Sequence, residues 1–298
     1  MTLYTQRSKN IFKTWSLMTL FVLFIGALGF LFSYWFGDNI FLFVALFFSL
    51  ISAFVSYWFS DKIILGISHA REVKREEFFD LYNIVENLSI TAGLPMPRVY
   101  VMDEPSPNAF ATGRDPKNSV ICVTTGLLSI LNKSELEGVV AHELSHIGNK
   151  DILLASVICV LVSVISLLAN WLSRSLFWGG GRSKDDDNGM GLIALAITLV
   201  SVILLPIAGT LTQLAISRKR EFLADASGSL LTRYPEGLIL ALEKISKTNI
   251  PIKNVSEVTR GLFISDPYLK KKGSWFASLW QTHPPVEERV RALRNLEI

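Results

Sequence analysis

Ala141-His142-Glu143-Leu144-Ser145-His146 is the stretch from which the rest of the chain can be read. On a helix, His142 and His146 stand one turn apart on the same face, so both imidazoles reach one metal ion. Glu143 then lies beside the ion without ligating it, placed to take a proton from a water activated there. The stretch sits between an apolar lead-in (Leu136, Val139, Val140) and a long apolar run that starts at Ile152. Ser134, with Glu137 three residues on, has the spacing of a capping box and predicts that the helix opens there.

The 298 residues are half hydrophobic with a mean hydropathy of +0.39, too apolar for a soluble protein with an average surface. A net charge of only +3 gives no reason to expect a nucleic-acid partner. The two cysteines, Cys122 and Cys159, stand in apolar sequence and read as small core or membrane residues; no disulfide framework is implied. Of the four histidines, His142 and His146 are in the motif, and His69 and His283 are outside it. His69, beside the second apolar run, reads as interfacial.

Four charge-free runs account for the apolar character: Trp15 to Phe36, Ile40 to Ser60, Ile152 to Ser173 and Gly191 to Ile216. Each is long enough as a helix to cross a hydrocarbon core of about 30 Å. The first exceeds a signal-peptide core, so the first two read as a transmembrane hairpin turning at Gly37-Asp38-Asn39. Aromatics near the ends (Trp15, Tyr34, Trp35, Tyr57, Trp58) suit the interfaces. Arg7, Lys9 and Lys13 precede the hairpin, and Lys62, Arg71, Lys74 and Arg75 follow it. The positive-inside rule therefore puts both ends in the cytoplasm. Arg218-Lys219-Arg220 marks the exit of the fourth run as cytoplasmic too, with a flexible glycine-acidic loop, Gly179 to Gly189, between the last two runs.

The remaining sequence has soluble patterning. Ala70 to Ala92 alternates charge and apolar positions at helical spacing and predicts one amphipathic helix stopped by Gly93 and Pro95. Strands are expected at Arg98 to Met102, at Asn108 to Gly113 as an edge, and at Ser119 to Thr124. Helices are expected at Ser217 to Thr232, Pro235 to Thr248 and, after Thr282-His283-Pro284-Pro285, at Val286 to Leu296 with Val290, Leu293 and Leu296 on the apolar side.

A catalytic zinc usually takes three protein ligands and keeps one position open. A metzincin would need Gly at position 149 and His at 152, where this chain has Asn149 and Ile152, so that class is excluded. The gluzincin alternative draws a glutamate from a second helix, and Glu221 is the candidate. Asp225, one turn on, can face the same way and accept the free N–H of a ligating histidine. Read without the rest, the two acids are equally well ordinary surface partners of Arg218 or Lys219. Hairpin topology favours the ligand reading, because a chain that crosses and returns brings Glu221 back to the face that carries His146.

These features together resemble the HtpX family of membrane-bound zinc metalloproteases, distant relatives of the CAAX prenyl endoprotease. The resemblance covers the leading hairpin, Asn108-Ala109-Phe110-Ala111-Thr112-Gly113-Arg114, Thr125-Gly126-Leu127-Leu128, the segment Glu135 to His146 with Asn149 and Asp151, Ser217-Arg218-x-Arg220-Glu221-Phe222-x-Ala224-Asp225, and Thr282-His283-Pro284-Pro285. Phe222 stands where a tyrosine is common. The resemblance implies an α-helical multi-pass membrane protein with an α+β gluzincin-like (zincin) metalloprotease domain facing the cytosol. It implies one Zn²⁺ per chain held by His142, His146 and Glu221, with Glu143 as the catalytic base and Asp225 behind the ligands. It also implies Asn108, Ala109, Phe110, Ala111 and Thr112 as the strand that binds substrate, His283 close to the active site, and a role in clearing damaged membrane proteins from the cell (inner) membrane. The expected organisation is a transmembrane hairpin at 1–62, a first part of the zincin domain at 63–150, a second hairpin at 151–216 and the second part of the domain at 217–298. A non-catalytic zinc-stabilised scaffold or stress receptor, and a dedicated prenyl-protein endoprotease, are the competing readings. The sequence carries no signal of oligomeric state.

Overall fold

A computed structural model of the chain describes residues 3–179, 217–248, 250, 259–265 and 284–296. The fourth apolar run, the loop that follows Gly179, and His283 lie outside the described residues. Within them, three helices are long and apolar enough to cross a membrane: Arg7–Phe36, Ile40–Ile67 and Asp151–Asn170. They belong to α1 (Leu3–Phe36), α2 (Ile40–Ile67) and α6 (Asp151–Gly179). The polar N-terminus is therefore not a tail ahead of the first span but the opening turns of the same helix. Buried Met18, Phe21, Ile25 and Ala53 of α1 and α2 pack on Leu154, Val157, Ile158 and Leu161 of α6. Phe30, Leu31, Phe43, Phe47 and Phe54 stay more than half exposed, an apolar surface that lipid tails would cover.

Between α2 and α6 the chain builds a four-stranded sheet of order β1-β2-β4-β3, with β1 Arg71–Glu72, β2 Arg98–Met102, β3 Ala109–Gly113 and β4 Ser119–Thr124. β2 runs parallel to β4, and β3 is antiparallel to it at the edge. The period of two sorts its side chains into two cores. Val99, Val101, Ala109, Ala111, Ile121 and Val123 join the core of the shorter helices. Tyr100, Met102, Phe110, Val120 and Cys122 pack instead with Ile64 and Leu65 of α2 and Cys159 of α6. The sheet is thus a plate between the shorter helices and the ends of the long apolar helices. Both cysteines are buried in the second core and unbridged.

The helical layer consists of α3 (Phe79–Ala92), α4 (Thr125–Ile130), α5 (Lys133–Gly148), α7 (Arg218–Thr232), α8 (Pro235–Lys247) and α9 (Val286–Arg294). Two expectations shift. The single helix from Ala70 is instead β1, a turn and then α3, because the Val73 N–H pairs with the Val99 carbonyl and ties that end of the segment to the sheet. Gly93, in the left-handed conformation, ends α3 as expected. The capping box is Asn132 with Glu135 rather than Ser134 with Glu137. Asn132 Oδ1 accepts from the Glu135 N–H at 3.0 Å, and Glu135 accepts from the Asn132 N–H at 2.8 Å. Leu131 and Asn132 leave α4 in extended conformation, so Asn132 is the last residue able to cap before helical geometry begins.

Candidate metal centre and active site

α5 carries the histidine motif along the sheet and stops at Gly148. Asn149 caps it, Lys150 turns in the left-handed region (φ 56°), and α6 starts at Asp151. α7 lies across α5 at very short range, and Gly228 permits the approach: a Cβ there would stand 2.9 Å from the His142 backbone nitrogen. The glycine sits two turns beyond Glu221, so the contact that holds the helices together also delivers the glutamate.

His142 Nε2, His146 Nε2 and a Glu221 oxygen lie within 4.8 Å of one another. The two Nε2 atoms are 3.2 Å apart, and the carboxylate is 3.8 Å from His142 and 3.6 Å from His146. Four-coordinate zinc with Zn–N bonds of about 2.0 Å separates its ligand atoms by roughly 3.3 Å, close to this spacing. The opposite ring nitrogens explain why a cation fits. His142 Nδ1 meets Asp225 Oδ1 at 2.9 Å, and His146 Nδ1 meets Asp151 Oδ2 at 3.0 Å. With each Nδ1–H donated to a carboxylate, both Nε2 lone pairs point at the same point in space. Two imidazoles, once free of their Nε2 protons, and a carboxylate aimed together are a donor set for a dication such as zinc.

The charges around the ligands are stacked in depth. Arg289 of α9, 1 % exposed, donates to both oxygens of Asp225 (2.8 and 2.6 Å) and to the Ile264 carbonyl (3.0 Å). Burial alone would raise the Asp225 carboxyl; the Arg289 charge and the His142 hydrogen bond outweigh it and hold the group below its ordinary value. Burial lowers His142, against the pull of Asp225. For His146 burial also acts downward, but the Asp151 hydrogen bond and the Glu221 charge prevail and raise it to about 9. Burial pushes Glu143 up to about 7, against the charges of His146 and Arg289 and a hydrogen bond from the Ala111 N–H. Glu143 and the ligands line a cavity of about 40 Å³, closed on one side by Gly261, Leu262, Phe263 and Ile264. By volume that admits a water or two beside an ion.

The expected substrate strand is present as the sheet edge, and its residues divide by direction. Phe110 and Thr112 send their side chains to the membrane side, where Thr112 pairs its hydroxyl with Ser156 of α6 at 2.8 Å. Ala109 and Ala111 turn main-chain groups outward. The Ala109 carbonyl accepts from the Ile264 N–H at 2.9 Å, and the Asn108 side chain donates to the Ser265 carbonyl at 2.9 Å. In this structure the edge is thus lined by the chain's own Ile264 and Ser265.

Sequence reasoning missed Arg289 and the roles of Asp151 and Asn10. Arg289 carried a readable signal: it lies one turn before Leu293 on the apolar stripe of the last helix, where an arginine is buried only with a partner. Asp151 opens a long apolar helix directly after the motif, a position with a dipole reason of its own that conceals a second role. Asn10 had no local signal.

The same architecture recurs in known proteins. Residues 75–297 match peptidase family M48. The chain is 44 % identical over 301 aligned positions to a protease HtpX homolog of Caldanaerobacter subterraneus subsp. tengcongensis, covering 100 % of this chain and 99 % of that one. It is 50 % identical over 233 positions to the homolog of Dictyoglomus turgidum, covering 78 % of this chain and 74 % of that one. For the homolog of Streptococcus gordonii the figures are 42 % over 299 positions, with 99 % and 100 % covered. The crystal structure of S. mikatae Ste24p matches in fold with a TM-score of 0.52 at 18 % identity, over 97 % of this chain and 67 % of that one. With that family matched from before α3 through β2, β3, β4 and the motif helix, and full-length relatives named as proteases, the chain belongs to peptidase family M48 and is a membrane-bound metalloprotease.

Proposed function

We propose that the chain is a zinc-dependent endopeptidase of the cell membrane that hydrolyses peptide bonds in misfolded or damaged membrane proteins from the cytosolic side. The observation that carries this reading is the convergence of His142, His146 and Glu221 with the buried Glu143 in one cavity beside the edge strand β3. Zinc, when bound, supplies Lewis acidity: it polarises the scissile carbonyl and lowers the pKa of a water toward about 7. Glu143 takes the proton of the attacking water and delivers it to the leaving amine, a task suited to a buried carboxylate beside the proposed ligands. Asp225 and Asp151 fix the imidazole tautomers. An extended substrate pairs with the outward main chain of Ala109 and Ala111, where Ile264 now sits, so Ile264 and Ser265 yield the edge or extend it. Main-chain pairing reads few side chains, which fits a broad range of damaged substrates.

The site's place in the chain supports the membrane-protein substrate class. The two helices that bear the proposed ligands meet near the start of α6, where the long apolar helix begins, and the flanking cations support a cytoplasmic side for that boundary. The four-part organisation at 1–62, 63–150, 151–216 and 217–298 is proposed on the same basis. Purified chain in detergent should degrade casein and an unfolded membrane protein, stop on chelation and resume with Zn²⁺. Glu143→Gln should retain one zinc and lose activity by at least about 10²-fold. Proteolysis that survives in that variant removes Glu143 from the mechanism, and a wild-type chain that holds zinc without cleaving either substrate favours a scaffold.

A further inference from the structure

Asn10 is a polar residue on a helix that reads as a membrane anchor, and it is 1 % exposed. An amide at such a position is costly unless both ends of its NH₂ group are used. Here they are: Nδ2 donates to Asp151 Oδ1 at 2.6 Å and to the Asn149 carbonyl at 3.2 Å. These two acceptors bracket Lys150, the left-handed break between α5 and α6. The other oxygen of Asp151, Oδ2, meets His146 Nδ1 at 3.0 Å. One carboxylate is therefore shared between a proposed metal ligand and the first membrane helix, with the Arg220 guanidinium 3.8 Å from Oδ1. The contacts span nearly half the chain in sequence, so nothing local accounts for them.

We propose that Asn10 is a positioning residue for the metal centre. By holding Asp151 it fixes the orientation of the His146 ring, so that seating of the N-terminal membrane helix and affinity for the metal are linked. The proposal rests on the reading of His142, His146 and Glu221 as metal ligands. Outer partners of ligating histidines are worth about 10–100-fold in metal affinity. Asn10 acts one bond further out, so its loss should weaken binding by roughly tenfold, the low end of that range. Linkage is reciprocal: bound metal must in turn hold α1 in place.

The test uses the full chain in detergent or nanodiscs and Zn²⁺ in competition with a chromogenic chelator. Asn10→Leu keeps the volume and suits an apolar helix while removing the donor; its zinc affinity should fall about tenfold. Thr14→Val is the matched control. The Thr14 hydroxyl donates only to the Asn10 carbonyl within the same helix, and this variant should stay within about twofold of wild type. A second readout needs no variant: in wild type, zinc should slow amide exchange across residues 7–14 of α1 while leaving α3 unchanged. Wild-type zinc affinity in Asn10→Leu, or exchange in α1 that is indifferent to zinc, overturns the proposal and leaves the metal site standing. A wild-type chain that binds no stoichiometric zinc overturns the metal reading itself.

Discussion

The two histidines of the motif are chemically the same and one turn apart, yet they are held from opposite sides of the molecule. His142 is held by Asp225 of α7, itself clamped by Arg289 of α9. This is a support made among the shorter helices and built of full charges. His146 is held by Asp151 of α6, in turn held by the neutral amide of Asn10 on α1. This support runs to the membrane helices, with the Arg220 guanidinium of α7 3.8 Å from Asp151 at its flank. The difference teaches that a motif of six residues fixes which atoms face the metal but not what keeps them there. One proposed ligand is tied to the packing of the shorter helices, the other to the packing of the long apolar helices.

The charged support should break hardest. Arg289→Met leaves Asp225 buried without its cation, and removal of one partner of a buried pair costs about 3–5 kcal/mol. Denaturant unfolding of the solubilised protein should register that loss. Asn10→Leu, its counterpart on the other side, removes no charge and should cost about 1–3 kcal/mol. Equal losses from the two would dissolve the distinction between the supports.

Metal affinity should separate the comparison differently. Asp225→Asn and Asp151→Asn each withdraw a carboxylate from a ligand histidine, and both should weaken zinc binding by about 10–100-fold. Asp225→Asn takes away the carboxylate that accepts two hydrogen bonds from Arg289, whereas Arg220 stands 3.8 Å from Asp151, so Asp225→Asn should lose several kcal/mol of stability in the metal-free protein and Asp151→Asn less. A chelator titration alongside unfolding resolves the pair. If Asp151→Asn destabilises the metal-free protein as much as Asp225→Asn does, the membrane-side support is as charged as the domain-side one.

How much of this was legible in the sequence follows the range of the forces involved. His142, Glu143 and His146 were legible because helical spacing is a local property, and Glu221 was reached by expecting the chain to return to the face it left after the third apolar run; the glutamate and the two histidines lie together in the fold. Asp225 followed from one turn of helix. The strands β2 and β4 were read at their bounds, since β-branched runs between turn residues leave little choice. The capping box was displaced because two overlapping pairs, Asn132 with Glu135 and Ser134 with Glu137, satisfy the same spacing, and the extended backbone leaving α4 selects between them. The segment after Ala70 misread because charges alternate there as they would on a helix, while the pairing of Val73 with Val99 is a contact no spacing reveals. Arg289 and Asn10 are the same failure at longer range.

Gly228 tests the domain side alone at a smaller scale. Gly228→Ala puts a methyl group 2.9 Å from the His142 backbone nitrogen. α7 must back away from α5, at a cost of about 1–3 kcal/mol for overpacking. The shift carries Glu221 and Asp225 together, so zinc affinity should fall along with stability. Affinity kept at the wild-type value would mean that α7 pivots about its N-terminal turn instead of retreating as a unit.

The smallest expected effect lies on the seam where the two supports meet. Thr112 of β3 and Ser156 of α6 pair their hydroxyls at 2.8 Å, both fully buried, one on the domain sheet and the other on a membrane helix. Thr112→Val or Ser156→Ala alone leaves the remaining hydroxyl buried and should cost about 1–3 kcal/mol. Together they remove both polar groups, so the double variant should cost less than the sum, with a coupling of about 0.5–3 kcal/mol. The hydroxyl pair touches neither histidine, and zinc affinity should remain within about twofold in all three proteins. A loss of affinity there would show that the seam transmits strain between the supports, and His142 and His146 would then have to be treated as held by one network.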